Sequence, residues 1–435
     1  MRRACATRMR ASSRVLRVRG GWRGEIEYAA PPSKSYSHRS LLIPAVSEGA
    51  SRITGLSSCD DVEATLRALR LLGVRVELHG DEALVEGTDF SSPGDIVDCG
   101  GSASTLRMLA PIVAARESKA VYTGDESLRR RPVWMVEEAL RSLGAEVSSN
   151  NGRPPLKVRS RGFSSNTVIL DASESSQHVS GFMIAGARLG DGFTIVLEKN
   201  ILVSKPYVEL TASMLQMHGV SVEVGEGLIR VEPGRPRAFN HVVPGDYSLA
   251  SIPLAMAAAS GCRAVVHRLV DKPQPDKAVV DVLRAMGLET YWRGNTLIAE
   301  STGVLKACVV DCSDTPDLVP ALALVATAAE GETVLKNIGR LEAKESARAT
   351  LIVENLSKMG ARILLRENNI VVRGPCRLRG AVVDAGGDHR IEMMLVAAGA
   401  LAGGETTIVN AGSVSKSNPG FYEWVEKAGV ELEWA

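Results

Sequence analysis

Six copies of one segment, spaced about 70 residues apart, constrain this chain more than any other feature. Each copy is an amphipathic helix that ends in Leu/Met-Gly or a close variant and runs into a β-like stretch. The copies read DVEATLRALRLLGVRVEL, VWMVEEALRSLGAEV, YVELTASMLQMHGVSVEV, AVVDVLRAMGLETYW, RATLIVENLSKMGARILL and GFYEWVEKAGVELEW. Their glycines, Gly73, Gly144, Gly219, Gly287, Gly360 and Gly429, stand 71, 75, 68, 73 and 69 residues apart. Apolar residues three and four apart bury one face, and a glycine past the last turn takes the left-handed cap conformation. The β-branched run that follows predicts a strand.

A second helix alternates with the first and is apolar almost all round: SHRSLLIPAVSEGA, SASTLRMLAPIVAA, SSQHVSGFMIAGARLG, SLASIPLAMAAASG, DLVPALALVATAAEG and HRIEMMLVAAGALAGG. A helix of that pattern is a buried one. Each unit therefore holds a buried helix, an amphipathic helix and several short strands. Repeats this long, each with its own buried helix, fit closed globules better than a solenoid. The expected fold is α/β, two domains of three units each, with internal helices shielded by sheets.

The chain has 435 residues, 45% hydrophobic and 23% charged, which suits a soluble protein with full-sized cores. Aromatics make up 4%, too few for a surface that stacks single-stranded bases. The net charge of +1 makes any anion site local. The best apolar run, Leu318 to Ala329, is shorter than the roughly 18 residues of a membrane span and contains a proline. Seven scattered cysteines fit reduced thiols in a cytoplasm. Cys308 and Cys312 have no cluster beside them to complete a metal site, so no metal is expected.

Residues 1–24 carry eight arginines and no acid. The stretch lacks the apolar core of a secretory signal. A transit peptide and a nucleic-acid arm are both open readings. The plain expectation is that residues 1–13 form a disordered tail, with no nucleic-acid or membrane partner.

Polar clusters precede the buried helices. Lys34, Ser35, His38 and Arg39 open the first, and GGSAST with Arg107 the second. Ser175, Ser176 and Gln177 open the third, GDYS the fourth, Asp317 the fifth, and His389 with Arg390 the sixth. Ser, Thr and Asp are ordinary helix caps. Lys34, Arg39 and Arg390 are not, because cations are disfavoured at helix N-termini unless an anion is present. Loops add Arg129, Arg130, Arg131, Ser204, Lys205, Tyr207, Arg340, Lys344, Arg348 and Lys416. Together they suit a substrate set with several phosphates or carboxylates. Nucleotide-loop, zincin and serine-elbow motifs are absent.

The ordered set SKSYSHR, DDV, RRRP, SSQ, SKPY, PDLVPALALVAT, AKESAR, GDHR and SKSNPGFY resembles the 5-enolpyruvylshikimate-3-phosphate synthases, from about Val15 to the C-terminus. The resemblance implies two domains of three βαβαββ-like units, one spanning residues 32–245 and the other 14–31 plus 246–435. It implies a cytoplasmic monomer, without metal or organic cofactor, that transfers the enolpyruvyl group of phosphoenolpyruvate to the 5-hydroxyl of shikimate 3-phosphate. Shikimate 3-phosphate would meet Lys34, Ser35, Arg39, Ser175, Ser176, Gln177, Ser204, Tyr207, Asp317 and Lys344. Phosphoenolpyruvate would meet Lys34, Ala103, Arg131, Gln177, Arg348, Arg390 and Lys416. Asp317 would take the hydroxyl proton, and Lys34 and Glu345 would serve the enolpyruvyl carbons.

The chain departs from the family pattern in places. Gly101-Ser102-Ala103-Ser104 stands where the family usually has Asn-Ala/Ser-Gly-Thr, Ala347 replaces an Asp, and His38 replaces an Asn. The Ala103 methyl is expected to weaken binding of glyphosate more than of phosphoenolpyruvate. The alternative within the same fold is UDP-N-acetylglucosamine enolpyruvyl transferase, which would be expected to show Lys-Asn at positions 34 and 35 and a mobile-loop cysteine.

Overall fold

A computed structural model describes residues 14–90, 96–272, 274–301 and 303–435. The Arg-rich stretch 1–13 lies outside the described residues. The six closing glycines all have φ between +85° and +108°, as the helix-end reading requires. At these positions a side chain would be strained, and the turn depends on glycine.

Six four-stranded sheets account for the strands. In the second unit, Ile96–Asp98 runs parallel to Glu117–Thr123, which pairs antiparallel with Arg153–Arg161 and that with Glu146–Asn150. The third and fifth units repeat this order within their own sequence. The other three borrow a strand. His241–Val242 supplies the first strand of the first unit, alongside Ala50–Thr54. Ile26–Ala29 supplies that of the fourth, alongside Ala264–His267. Arg14–Arg19 inserts into the sixth sheet between Glu405–Ala411 and Leu432–Trp434. The segment before Pro31 thus contributes two strands to two different sheets.

The second helix of every unit lies inside. Val319–Ala326 is buried at every position, and so is Tyr247–Ser260 as far as Ala258. Each fully buried aliphatic side chain contributes roughly 1.5–3 kcal/mol relative to exposure. Two separate cores result. One collects Leu41 to Val243, and the other collects Leu16 to Ala30 with Tyr247 to Val430. Mixed α/β architecture and internal helices are both as expected; the solenoid alternative is not seen.

One close approach shapes the site. Gly181, in the helix Gln177–Leu189, faces Met108 in the helix Ala103–Ala114. A β-carbon there would lie 2.8 Å from Met108 backbone atoms, so glycine permits the contact. That contact brings the two helix starts together, and the Gln177 side-chain amide donates to Ser104 Oγ at 2.8 Å.

Candidate active site

The starts of all six buried helices line two adjoining pockets between the cores. The larger is lined by Lys34, Ser35, Arg39, Ala103, Arg131, Ser175, Ser176, Gln177, Ser204 and Tyr207 from one lobe. Asp317, Lys344, Glu345 and Arg348 line it from the other. Arg390 and Lys416 join through their carboxylate partners, Asp317 at 3.3 Å and Glu345 at 3.8 Å. The sequence-predicted residues are therefore brought together from both halves of the chain.

On the first wall, the Lys34 ammonium sits 2.9 Å from Asp61. Burial pushes the Lys34 amine down, but the surrounding negative charges, Asp61 foremost, together outweigh it and the amine stays above its ordinary value. Arg39 is almost fully buried and donates to Thr211 Oγ1, the Ser35 carbonyl, Ser180 Oγ and the Tyr207 carbonyl. Burial lowers it to about 10, still charged at neutral pH. Its donors fix Ser35 and Tyr207 in place. Arg107 donates to the Gln177 side-chain oxygen at 3.0 Å and to the Pro132 carbonyl at 2.8 Å, which fixes the Gln177 amide.

On the second wall, Asp317 accepts from Arg348 at 2.9 Å and Arg390 at 3.3 Å, with Lys344 3.6 Å away. Arg348 also reaches Glu345 at 2.7 Å and Asp388 at 3.0 Å. Glu345 pairs across the lobes with Arg131 at 2.5 Å. Burial alone would raise both carboxyls. The surrounding cations, Lys344, Arg390 and Arg348 at Asp317 and Arg131, Arg348 and Lys416 at Glu345, hold them well below the usual carboxylate range. Two of the Arg390 guanidinium nitrogens, Nε and Nη1, are buried without a partner in the structure. A bound anion would satisfy them.

The lobes meet through further contacts. Tyr207 Oη donates to Asp276 at 2.8 Å, Arg340 to Ser204 Oγ at 3.1 Å, and Ser415 Oγ to Asp60 at 2.7 Å.

Sequence reasoning placed Arg107, Arg340 and His389 among the anion-site clusters without giving them a role. It did not assign Asp61, which lines the larger pocket, Asp276, which lines the smaller, or Asp388 behind Arg348. Asp61 stands in DDV and Asp388 in GDHR, so their signal was present, but it reads equally as helix capping. Asp388 does cap, accepting from the Arg390 amide at 2.9 Å while also holding Arg348. His38 has a structural explanation. Its Nδ1 is hydrogen-bonded to Thr65 Oγ1 at 2.8 Å, and that hydroxyl continues to Thr105 and Ser102. Burial lowers His38 to about 3, so it stays neutral within a hydroxyl chain beneath the first wall. Gly101 is explained as well. A β-carbon there would lie 2.8 Å from an Asp125 carboxylate oxygen and 2.9 Å from the Lys416 ammonium, so a larger residue would make both side-chain ends shift.

Taken together, this is a two-lobed α/β protein with a charge-rich cleft between the lobes, suited to substrates carrying several anionic groups. The chain belongs to the EPSP synthase (3-phosphoshikimate 1-carboxyvinyltransferase) family, whose sequence model matches residues 18–425. It is 38% identical over 426 residues to the 3-phosphoshikimate 1-carboxyvinyltransferase of Aeropyrum pernix, covering 98% of each chain. It is 39% identical over 409 residues to that of Methanothrix thermoacetophila, covering 93% of this chain and 96% of the relative. A solved structure of EPSP synthase from Acinetobacter baumannii superposes with a TM-score of 0.81 at 26% identity, over 97% of this chain and all of that one. These matches do not favour the UDP-N-acetylglucosamine alternative. Among the described residues, no helix is long and apolar enough to cross a membrane.

Burial holds five histidines, His38, His178, His218, His241 and His389, below their ordinary pKa. The unfolded chain therefore takes up their protons first as pH falls through about 6.5, which destabilises the fold. Asp276, raised by burial and Asp317 to about 6, and Glu392, raised by burial, oppose this over the same interval. Five groups outweigh two. The urea midpoint should fall between pH 7 and pH 5, and His178→Gln should flatten that slope.

Proposed function

We propose that this chain transfers the carboxyvinyl group of phosphoenolpyruvate to the 5-hydroxyl of shikimate 3-phosphate and releases phosphate. The family membership supports the reaction. The observation that carries the site assignment is the meeting of both walls at Asp317, Glu345 and Lys34. Shikimate 3-phosphate lies along Ser35, Arg39, Ser175, Ser176, Gln177, Ser204 and Tyr207, with Lys34, Asp317 and Lys344 at its ring. Phosphoenolpyruvate lies between Arg131, Arg348, Arg390 and Lys416, against Lys34, Gln177 and the Ala103 methyl. The lobes, residues 32–245 and residues 14–31 plus 246–435, act as two domains that close over the substrates. One chain supplies every group, in keeping with a monomer working in the cytoplasm.

The first step is an addition. Asp317 accepts the 5-hydroxyl proton, the oxygen attacks C2 of phosphoenolpyruvate, and C3 gains a proton to become a methyl group. In the second step the methyl loses a proton and the C2–O–phosphate bond breaks. Phosphate leaves and the enol ether remains. Lys34, held as an ammonium by Asp61, and Glu345 exchange the protons at C3. Asp317 and Glu345 are weak bases while their cations face them. Bound phosphate and carboxylate groups draw those cations off, and the carboxylates become more basic where the reaction needs it. The same cations stabilise charge on the departing phosphate.

The test is phosphate release from phosphoenolpyruvate with and without shikimate 3-phosphate. Release should require both substrates. Folded protein that releases none, or releases it without the acceptor, contradicts the reading. The Ala103 methyl gives a second expectation. Ala103→Gly should tighten glyphosate inhibition roughly ten-fold while the phosphoenolpyruvate KM moves less than about three-fold, the scale of one methyl group in a close-fitting pocket. Equal changes in both constants would remove Ala103 as the discriminating contact.

A further inference from the structure

Glu392 is a buried carboxylate with no part in the chemistry above. It lies two residues beyond Arg390 on the helix His389–Leu401 and is 0% exposed. Its neighbours on that helix are apolar, and a methionine or leucine would serve packing as well. A carboxylate in such a place costs several kcal/mol unless its oxygens are satisfied.

They are satisfied by three neutral donors. Oε1 accepts from the Gly412 amide at 2.7 Å and from Tyr422 Oη, and Oε2 accepts from the Ser413 amide at 2.7 Å. Gly412 has φ +102°, a conformation that only glycine adopts freely and that turns its N–H to the carboxylate. From Ser413 the chain makes the single turn Val414–Lys416, closed by the Lys416 amide donating to the Ser413 carbonyl at 3.2 Å. That turn aims the Lys416 ammonium at Glu345. One side chain therefore joins the helix bearing Arg390 to the root of the loop bearing Lys416.

We propose that Glu392 is a positioning residue for the phosphoenolpyruvate clamp: it sets the spacing between Arg390 and Lys416, so that both cations reach one bound anion. The proposal rests on the reading of Arg390 and Lys416 as phosphoenolpyruvate contacts. Asp388 orients the Arg348 guanidinium and caps the same helix through the Arg390 amide, and Glu392 does the corresponding work for the loop. Glutamine at 392 keeps the volume, but its carboxamide N–H₂ would face a backbone N–H.

The test combines kinetics with backbone exchange. In Glu392→Gln the KM for phosphoenolpyruvate should rise roughly ten-fold, the scale of a lost charge-assisted hydrogen bond, and the KM for shikimate 3-phosphate should stay within about two-fold. In a Lys416→Ala background the same change should add less than about two-fold, because the two residues act on one contact. Amide hydrogen exchange at residues 412 and 413 should accelerate in Glu392→Gln. Parallel rises in both KM values, full multiplication with Lys416→Ala, or unchanged exchange would each overturn the proposal. Should Glu392→Gln fail to fold, Tyr422→Phe removes one donor from the same carboxylate and should shift the phosphoenolpyruvate KM alone, in the same direction and by less; no shift, or a matching shift for shikimate 3-phosphate, overturns it. A wild-type protein without acceptor-dependent phosphate release would defeat the functional reading instead. The exchange measurement does not depend on turnover and still decides whether Glu392 fixes the loop.

Discussion

The buried guanidinium of Arg348, ringed by Asp317, Glu345 and Asp388, is the contact on which the cleft depends. Several cations needed for anionic substrates cannot sit together in a low-dielectric cleft without compensation. The three carboxylates supply it, and each does a second task. Asp317 opens the fifth buried helix and receives Arg390. Asp388 caps the sixth, and Glu345 reaches Arg131 in the opposite lobe. Removing one partner from a buried group of this kind costs about 3–5 kcal/mol, because a charge is left uncompensated. Structural integrity and substrate recognition therefore draw on the same side chains.

The fold makes such a cleft available. A sheet with one solvated face must bury the other, and here each unit buries its own apolar helix against it. Six helices hidden in this way turn their polar starts toward the cleft. Those starts line the space between the two cores. Backbone amides and capping hydroxyls at these points favour anions before any charged side chain is added. The borrowed strands Arg14–Arg19 and Ile26–Ala29 tie the beginning of the chain into the far lobe before it crosses to the other, which it leaves again near Gly245.

Much of this was legible in the residues. The six glycines and the alternating helix types define the repeat and its two kinds of helix, because periodicity and cap chemistry are local properties. The cationic helix starts pointed to an anion site for the same reason. The strand exchanges were not legible, since nothing in RVLRVR or in His241–Val242 says which sheet will receive it. Residues behind the cations were also missed. Asp61, Asp388 and Glu392 read as caps or as ordinary helix acids, and only their distances to Lys34, Arg348 and the Gly412 and Ser413 amides separate them from such. Arg39 is a milder case. It lines the cavity as expected, yet most of its hydrogen bonds hold the protein's own Ser35, Tyr207, Ser180 and Thr211.

The central claim is that internal carboxylates hold the clamp until a substrate anion replaces them. Glu345 is the sharpest case, placed against Arg131, Arg348 and Lys416 at once. The direct measurement is calorimetric affinity for phosphoenolpyruvate in wild type and in Glu345→Gln, with an unreactive shikimate 3-phosphate analogue that lacks the 5-hydroxyl present. Neutralising the competing charge should tighten binding by roughly ten-fold or more, as expected for relief of a close like-charge contact, while turnover falls. Weaker binding in Glu345→Gln would mean that this carboxylate organises the cations without competing for them, and the account of the cleft would be wrong.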